Sequence, residues 1–120
     1  IIVDSTDPFS IAEGLFGGNF YKDISEALTE DGIFIAQTET PFFLPETVKK
    51  VFNDAKNIFK VTKLFMAAIP TYPGGYWSFK KYDPEKVDIS IIPNIDTKYY
   101  TPELHKACFV LPRYIQDIIK

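Results

Sequence analysis

Short apolar runs that stop at polar loops alternate along this chain with stretches in which apolar residues recur every three or four positions. Ile1-Ile2-Val3 is continuously apolar and ends abruptly at Asp4, with Ser5, Thr6, Asp7 and Pro8 behind it, the pattern of a buried parallel strand leaving a sheet. From Ala12 the spacing turns helical, breaks at Gly17-Gly18, and resumes with Phe20, Ile24, Ala27 and Leu28 on one face until Asp31-Gly32 stops it. Ile33-Phe34-Ile35-Ala36 reads as a second buried strand, followed at once by Gln37, Thr38, Glu39 and Thr40. Pro45-Glu46 opens the clearest helix, carried by Val48, Val51, Phe52, Ala55, Ile58 and Phe59. Val61 to Ile69 is rich in strand formers, Pro70 to Gly75 punctuates it, and Tyr76-Trp77-Ser78-Phe79 alternates into another strand, so these two predict an antiparallel couple. Asp83 to Lys98 has little periodicity, and two short helices are expected near Pro102 to Phe109 and Pro112 to Ile119.

Strand, helix, strand, helix, strand, loop, strand is the order of the second half of a doubly wound α/β sheet, because parallel strands need helical crossovers. The predicted sheet is therefore mostly parallel with a final antiparallel strand. Ligands bind such sheets beyond the carboxyl ends of the strands, which directs attention to residues 4–7 and 37–40.

Composition narrows the classes. With 120 residues, 46% hydrophobic and 24% charged, the chain is one soluble globular domain or part of one, and a disordered tail is excluded. It begins inside an apolar strand with neither an initiator Met nor a lead-in turn, which predicts a fragment of a larger domain. No apolar run approaches the roughly 20 residues needed to span a bilayer and no signal peptide is recognisable, so a cytoplasmic protein that does not engage the membrane is expected. A net charge of −3 with scattered lysines argues against nucleic acid and favours a small cation. The single Cys108 sits in an apolar context and predicts a packed thiol.

Few side chains are candidates for chemistry. Asp4 and Asp7 stand three apart in a loop; such residues cap helices or form Asx turns, or they aim two carboxylates at one cation. Carboxylates suit an ammonium ligand because they only accept hydrogen bonds when ionised, and one near the reacting nitrogen can take its proton. Gln37 can offer a donor and an acceptor at a pocket mouth, or lie in a surface loop. Tyr72 lies between Pro70 and Pro73 in a stiffened loop, either positioning its phenol or simply packed in the turn. The aromatics of Tyr72 to Phe79 and Tyr99-Tyr100 could line a pocket or fill a core. His105, the lone histidine, is expected to pack structurally, and no residue spacing suggests a metal site. No phosphate loop or nucleophile elbow is present, and Gly14, Gly17 and Gly18 lack dinucleotide-fingerprint spacing.

Four motifs in order carry a resemblance: Asp4-Ser5-Thr6-Asp7-Pro8; Ala36-Gln37-Thr38-Glu39; Ile69-Pro70-Thr71-Tyr72-Pro73-Gly74-Gly75-Tyr76-Trp77-Ser78-Phe79; and Lys98-Tyr99-Tyr100 with His105-Lys106-Ala107-Cys108-Phe109-Val110-Leu111-Pro112. From end to end the chain resembles the spermidine synthase (polyamine aminopropyltransferase) family. The resemblance implies a methyltransferase-like Rossmann domain that transfers an aminopropyl group from decarboxylated S-adenosylmethionine to putrescine, giving spermidine and methylthioadenosine. It implies Asp4 as the base, Asp7 as the amine anchor, and Gln37 and Tyr72 as further contacts to the amine. Asp4, Ser5, Ile11, Ala12 and Leu15 would flank the co-substrate's nucleoside, with no tightly bound cofactor, and family members are dimers or tetramers. Residues 1–120 would form the C-terminal part of the catalytic domain, with the N-terminal β domain and the glycine-rich cofactor half absent, so the fragment alone would be inactive. Ser10-Ile11-Ala12 stands where the family often has Gly-Pro-Ala, and Pro73-Gly74-Gly75 where Pro-Ser-Gly is common; both leave the proposed catalytic side chains in place. An ordinary S-adenosylmethionine-dependent methyltransferase and a non-catalytic polyamine-binding module are the competing readings.

Overall fold

The computed structural model of the chain describes residues 1–4, 14–15, 17–83 (backbone alone at 80–83) and 95–120. In chain order the elements are β1 (Ile2–Val3), α1 (Gly18–Ala27), β2 (Phe34–Glu39), α2 (Pro45–Lys56), β3 (Val61–Ala68), β4 (Tyr76–Asp83), α3 (Pro102–Ala107) and α4 (Arg113–Ile118). They form a four-stranded sheet in the order β1-β2-β4-β3. β1 and β2 are parallel, whereas β4 is antiparallel to both β2 and β3. Three strands thus run one way and β4 runs back between two of them, as expected for a mostly parallel sheet closed by one reversed strand. The β3–β4 couple pairs from Val61↔Asp83 to Ala68↔Tyr76. Because β4 enters where β3 leaves, the ends of β1, β2 and β3 and the start of β4 share one rim of the sheet.

One face is covered by helices. Phe34 and Ala36, alternate residues of β2, pack with Tyr21 and Ile24 of α1 and with Val51 and Ala55 of α2. Val48 and Phe52 of the same helix pack on Leu64 and Met66 of β3 and on Ile115 of α4. Helix α2 therefore spans both clusters, which its apolar residues at helical spacing allow. Its regular part ends at Lys56, three residues before the sequence pattern runs out, yet Ile58 and Phe59 still pack against the core. On the other face Phe65 stacks on Phe79 with centroids 5.3 Å apart, and Phe109 leans on Phe65 at 5.5 Å.

The C-terminal segment also protects the β3 edge. Met66 N donates to the Cys108 carbonyl at 2.9 Å and Ala68 N to the Tyr99 hydroxyl at 3.1 Å, so edge amides that could template another strand are paired. Thr101 caps α3 by accepting from Leu104 N at 3.1 Å, with Pro102 as the first helical residue. His105 packs, as expected, against Tyr100 and Phe109, with Nδ1 3.1 Å from the Tyr100 hydroxyl. Half-buried Cys108 donates its thiol to the His105 carbonyl.

One expectation needs correcting. β2 does not stop at Ala36: it continues to Glu39, and Thr38, Glu39 and Thr40 are buried. The Thr38 hydroxyl and the Glu39 carbonyl are satisfied across the sheet by Ser78, whereas the buried Thr40 Oγ1 has no hydrogen-bond partner among the described residues. The Thr38 hydroxyl lies 2.7 Å from Ser78 Oγ and 3.0 Å from the Ser78 carbonyl, and Ser78 Oγ donates to the Glu39 carbonyl at 2.5 Å. The register shifts between Gln37 and Glu39, and Glu39 has φ 134°, a conformation that L residues rarely adopt.

Candidate active site

The shared rim carries a cleft of about 290 Å³ lined by Ile2, Val3, Asp4, Ile35, Gln37, Ile69, Tyr72 and Phe79. Ile35 and Gln37 are the β2 residues that alternate away from the helical layer, so the cleft opens on the opposite face of the sheet. Its walls are mainly aliphatic and aromatic, with the carboxylate, amide and phenol placed among them. Such a lining suits a small molecule with an apolar stem and a cationic end.

Register explains which side chains meet. Ile2 pairs with Ile35 and Val3 with Ala36, so Asp4, the next residue, emerges beside Gln37. Gln37 in turn pairs with Phe79, and Trp77 is two residues along β4 on the same face, a diagonal neighbour across the strands. Trp77 Nε1 can only donate and an ionised Asp4 can only accept, which fixes the Gln37 amide. Its oxygen accepts from Trp77 Nε1 at 3.2 Å and its nitrogen donates to Asp4 Oδ1 at 2.8 Å. Gln37 is thus a half-buried strand residue and not part of a surface loop.

Tyr72 is held from the opposite side by the turn between β3 and β4. Tyr72 N donates to the Ile69 carbonyl at 3.0 Å, Gly75 N to the Tyr72 carbonyl at 2.9 Å, and Ile69 N to the Gly75 carbonyl at 2.9 Å. The turn needs left-handed backbone at Gly74 (φ 78°) and Gly75 (φ 63°), which glycine adopts without a Cβ penalty. A Cβ on Gly74 would sit 3.1 Å from Phe43 Cε2, so the Phe43 ring backs the turn. The Tyr72 ring meets Trp77 edge-on, with centroids 4.7 Å apart.

The structure therefore brings together Asp4, Gln37 and Tyr72, three sequence candidates 68 residues apart at the extremes (72 − 4). Asp7, Ser5, Ile11 and Ala12 lie outside the described residues. Leu15 is half-buried and packs against the cluster between α1 and β2. The aromatic-rich stretch does both things open to it: Tyr72 and Phe79 line the cleft, while Trp77 is buried behind them at 5% exposure. Trp77 was not singled out for a role in the sequence, although a buried indole N–H in a strand at a pocket rim needs an acceptor, and that requirement is a usable signal. Among the described residues, no group of three His, Cys, Asp or Glu side chains could hold a metal ion, and no helix is long and apolar enough to cross a membrane.

The fold and the cleft define a methyltransferase-like α/β domain with a carboxylate at the carboxyl end of its first described strand, in the position where such sheets receive ligands. The fold is similar to those of a spermidine synthase in complex with the transition-state analogue AdoDATO (TM-score 0.90, 32% identity, 98% of this chain and 44% of that one) and of spermidine synthase from Thermotoga maritima (TM-score 0.87, 32% identity, 98% and 43%). Polyamine aminopropyltransferases are more similar in sequence: that of Clostridium kluyveri is 69% identical over all of this chain and 45% of its own length, and that of Clostridium tetani 65% over 99% and 44%. Residues 1–91 match the spermine/spermidine synthase domain, and the chain belongs to that family. It spans less than half the length of the curated relatives it matches, 45% of the first.

Proposed function

We propose that the complete protein transfers an aminopropyl group from decarboxylated S-adenosylmethionine to putrescine, and that this chain supplies the amine side of its active site. The observation that carries the reading is the Asp4 carboxylate at the strand end of an apolar cleft, in a chain 69% identical to a polyamine aminopropyltransferase.

In this reading an amine nitrogen of putrescine attacks the aminopropyl carbon bonded to the sulfonium. The C–N bond forms as the C–S bond breaks, and the electron pair goes to sulfur, leaving neutral methylthioadenosine. A free alkyl amine resembles lysine, with a pKa near 10.4, and is protonated at neutral pH, so its nitrogen must lose a proton before it can attack. Asp4 takes that proton. Asp7 anchors the amine, Tyr72 orients it, and the aliphatic wall of Ile2, Ile35 and Ile69 matches its methylene stem. Asp4, Ser5, Ile11, Ala12 and Leu15 flank the nucleoside of the co-substrate. Because the chain covers only 45% of the first relative's length, further co-substrate contacts are assigned in this reading to the rest of the protein, and these 120 residues alone should form no spermidine. A cytoplasmic dimer or tetramer completes the reading.

Asp4→Asn in the complete enzyme tests it. The amide cannot take the proton, and positioned bases contribute about 10²- to 10⁴-fold, so kcat should fall into that range with the circular dichroism spectrum unchanged. Turnover equal to wild type removes Asp4 from the mechanism. Accumulation of adenosylhomocysteine would instead identify a methyltransferase, and putrescine binding without product would identify a binding module.

A further inference from the structure

Trp77 sits behind the cleft wall, yet two of the candidate side chains rest on it. Its N–H is 3.2 Å from the Gln37 amide oxygen, whose nitrogen is 2.8 Å from Asp4 Oδ1, and its ring supports Tyr72 edge-on at 4.7 Å. We propose that Trp77 is a positioning residue for this reaction: its indole N–H locks the Gln37 amide so that Gln37 holds one oxygen of Asp4 and leaves the other facing the amine. The inference rests on the function proposed above.

The chemistry at each end of the relay points the same way. Indole offers one donor and no acceptor; an ionised carboxylate offers acceptors alone. An amide between them has one orientation that satisfies both and one that satisfies neither. With Asp4 Oδ1 occupied by Gln37, the in-plane direction of the carboxylate is set before the substrate arrives, the preorganisation that a proton acceptor requires. Remove the indole N–H and the amide keeps a single tie, so it turns about its last torsion and the carboxylate swings with it. Trp77 itself is held by burial at 5% exposure and by its place on β4, where it pairs with Ala67. Gln37 accordingly acts first on Asp4, whatever further contact its amide makes with the diamine.

A double-mutant cycle in the complete enzyme separates this relay from simple packing. Trp77→Phe keeps an aromatic ring against Tyr72 and deletes the N–H; Gln37→Met keeps length and deletes both hydrogen bonds. The loss of one hydrogen bond's worth of positioning predicts that Trp77→Phe lowers kcat by about fivefold, with the KM for putrescine changed by less than about threefold, and that Gln37→Met, which loses both bonds, lowers kcat at least as far. Because both deletions break the same chain, the double variant should be no slower than Gln37→Met alone, within about a factor of two. Losses that multiply, or a rise in KM at constant kcat, overturn the proposal. A second readout does not depend on activity: the indole N–H resonance of Trp77, assigned by its disappearance in Trp77→Phe, should move upfield in Gln37→Met. An unmoved resonance rejects the relay even in a folded, active enzyme. If the wild-type protein forms no methylthioadenosine, the functional reading fails, and the resonance still decides whether the hydrogen bond exists.

Discussion

Replacing Ser78 by alanine removes one oxygen from the buried joint between β2 and β4 and tests whether that joint holds the rim of the cleft in shape. Ser78 is fully buried, and its Oγ donates to the Glu39 carbonyl at 2.5 Å. Glu39 carries φ 134°, and non-glycine residues in such sparsely populated regions cost about 1–3 kcal/mol, which surrounding bonds must offset. In Ser78→Ala a buried acceptor loses its donor, a change worth about 1–3 kcal/mol. Thr38 keeps the Ser78 carbonyl as an acceptor at 3.0 Å, so its hydroxyl adds little further cost. The void left by one hydroxyl is about that of a single methyl group, so the lost hydrogen bond sets most of the effect. The expected destabilisation is about 2 kcal/mol, read as a lower midpoint at unchanged slope in urea unfolding of the complete protein. Relaxation of the Glu39 peptide also shifts Gln37, two residues upstream, and through it Asp4, so kcat should fall by about tenfold. A variant within about 0.5 kcal/mol of wild type and equally active would mean that the bulge is held by something other than this hydroxyl.

Two further predictions concern the turn and the core. Gly74→Ala places a Cβ at φ 78°, which costs about 1–2 kcal/mol whatever the space around it. Its 3.1 Å approach to Phe43 adds little, because that ring is 56% exposed and can move. Adding Phe43→Ala should therefore fail to rescue Gly74→Ala in urea melts; a full rescue would locate the strain in the ring contact. Tyr21 is 1% exposed, and burial, reinforced by Asp54, pushes its phenol well above the ordinary 10.0. The unfolded chain ionises this phenol near that ordinary value while the native protein keeps its proton, so the stability it contributes is complete below the ordinary value and declines as pH rises above it. Comparing urea midpoints at about pH 9 and about pH 11, Tyr21→Phe should lose less stability than wild type; parallel losses would show that Tyr21 does not drive alkaline unfolding.

Much of the fold was legible because its signals are local. The break from Val3 to Asp4, the helical spacing of Val48 to Ala55 and the prolines ahead of Glu46 and Glu103 each depend on residues a few positions apart, where burial and backbone geometry act directly. The four motifs in register carried the family, and the comparisons bear it out: the family model matches residues 1–91 and a polyamine aminopropyltransferase is 69% identical over the whole chain. Asp4 and Gln37 were legible as candidates because parallel strands deliver their carboxyl-terminal residues to one rim, and Tyr72 because two prolines stiffen its loop.

Pairing decided the rest. Nothing in Gln37-Thr38-Glu39-Thr40 announces a buried strand end, since these side chains are polar and strand readings rest on apolar alternation. Thr38 and the Glu39 backbone can be buried because Ser78, 40 residues after Thr38, supplies matching hydrogen bonds from β4. The insertion of β4 between β2 and β3 likewise follows from long-range registry, and it sets Trp77 diagonal to Gln37. The sequence by itself determined that an acid follows the first strand and marked an amide and a loop phenol as its candidate partners. Only the tertiary structure decided that an indole N–H reaches the amide and the amide reaches the acid, because hydrogen bonds between strands depend on register, and register is a property of the whole sheet.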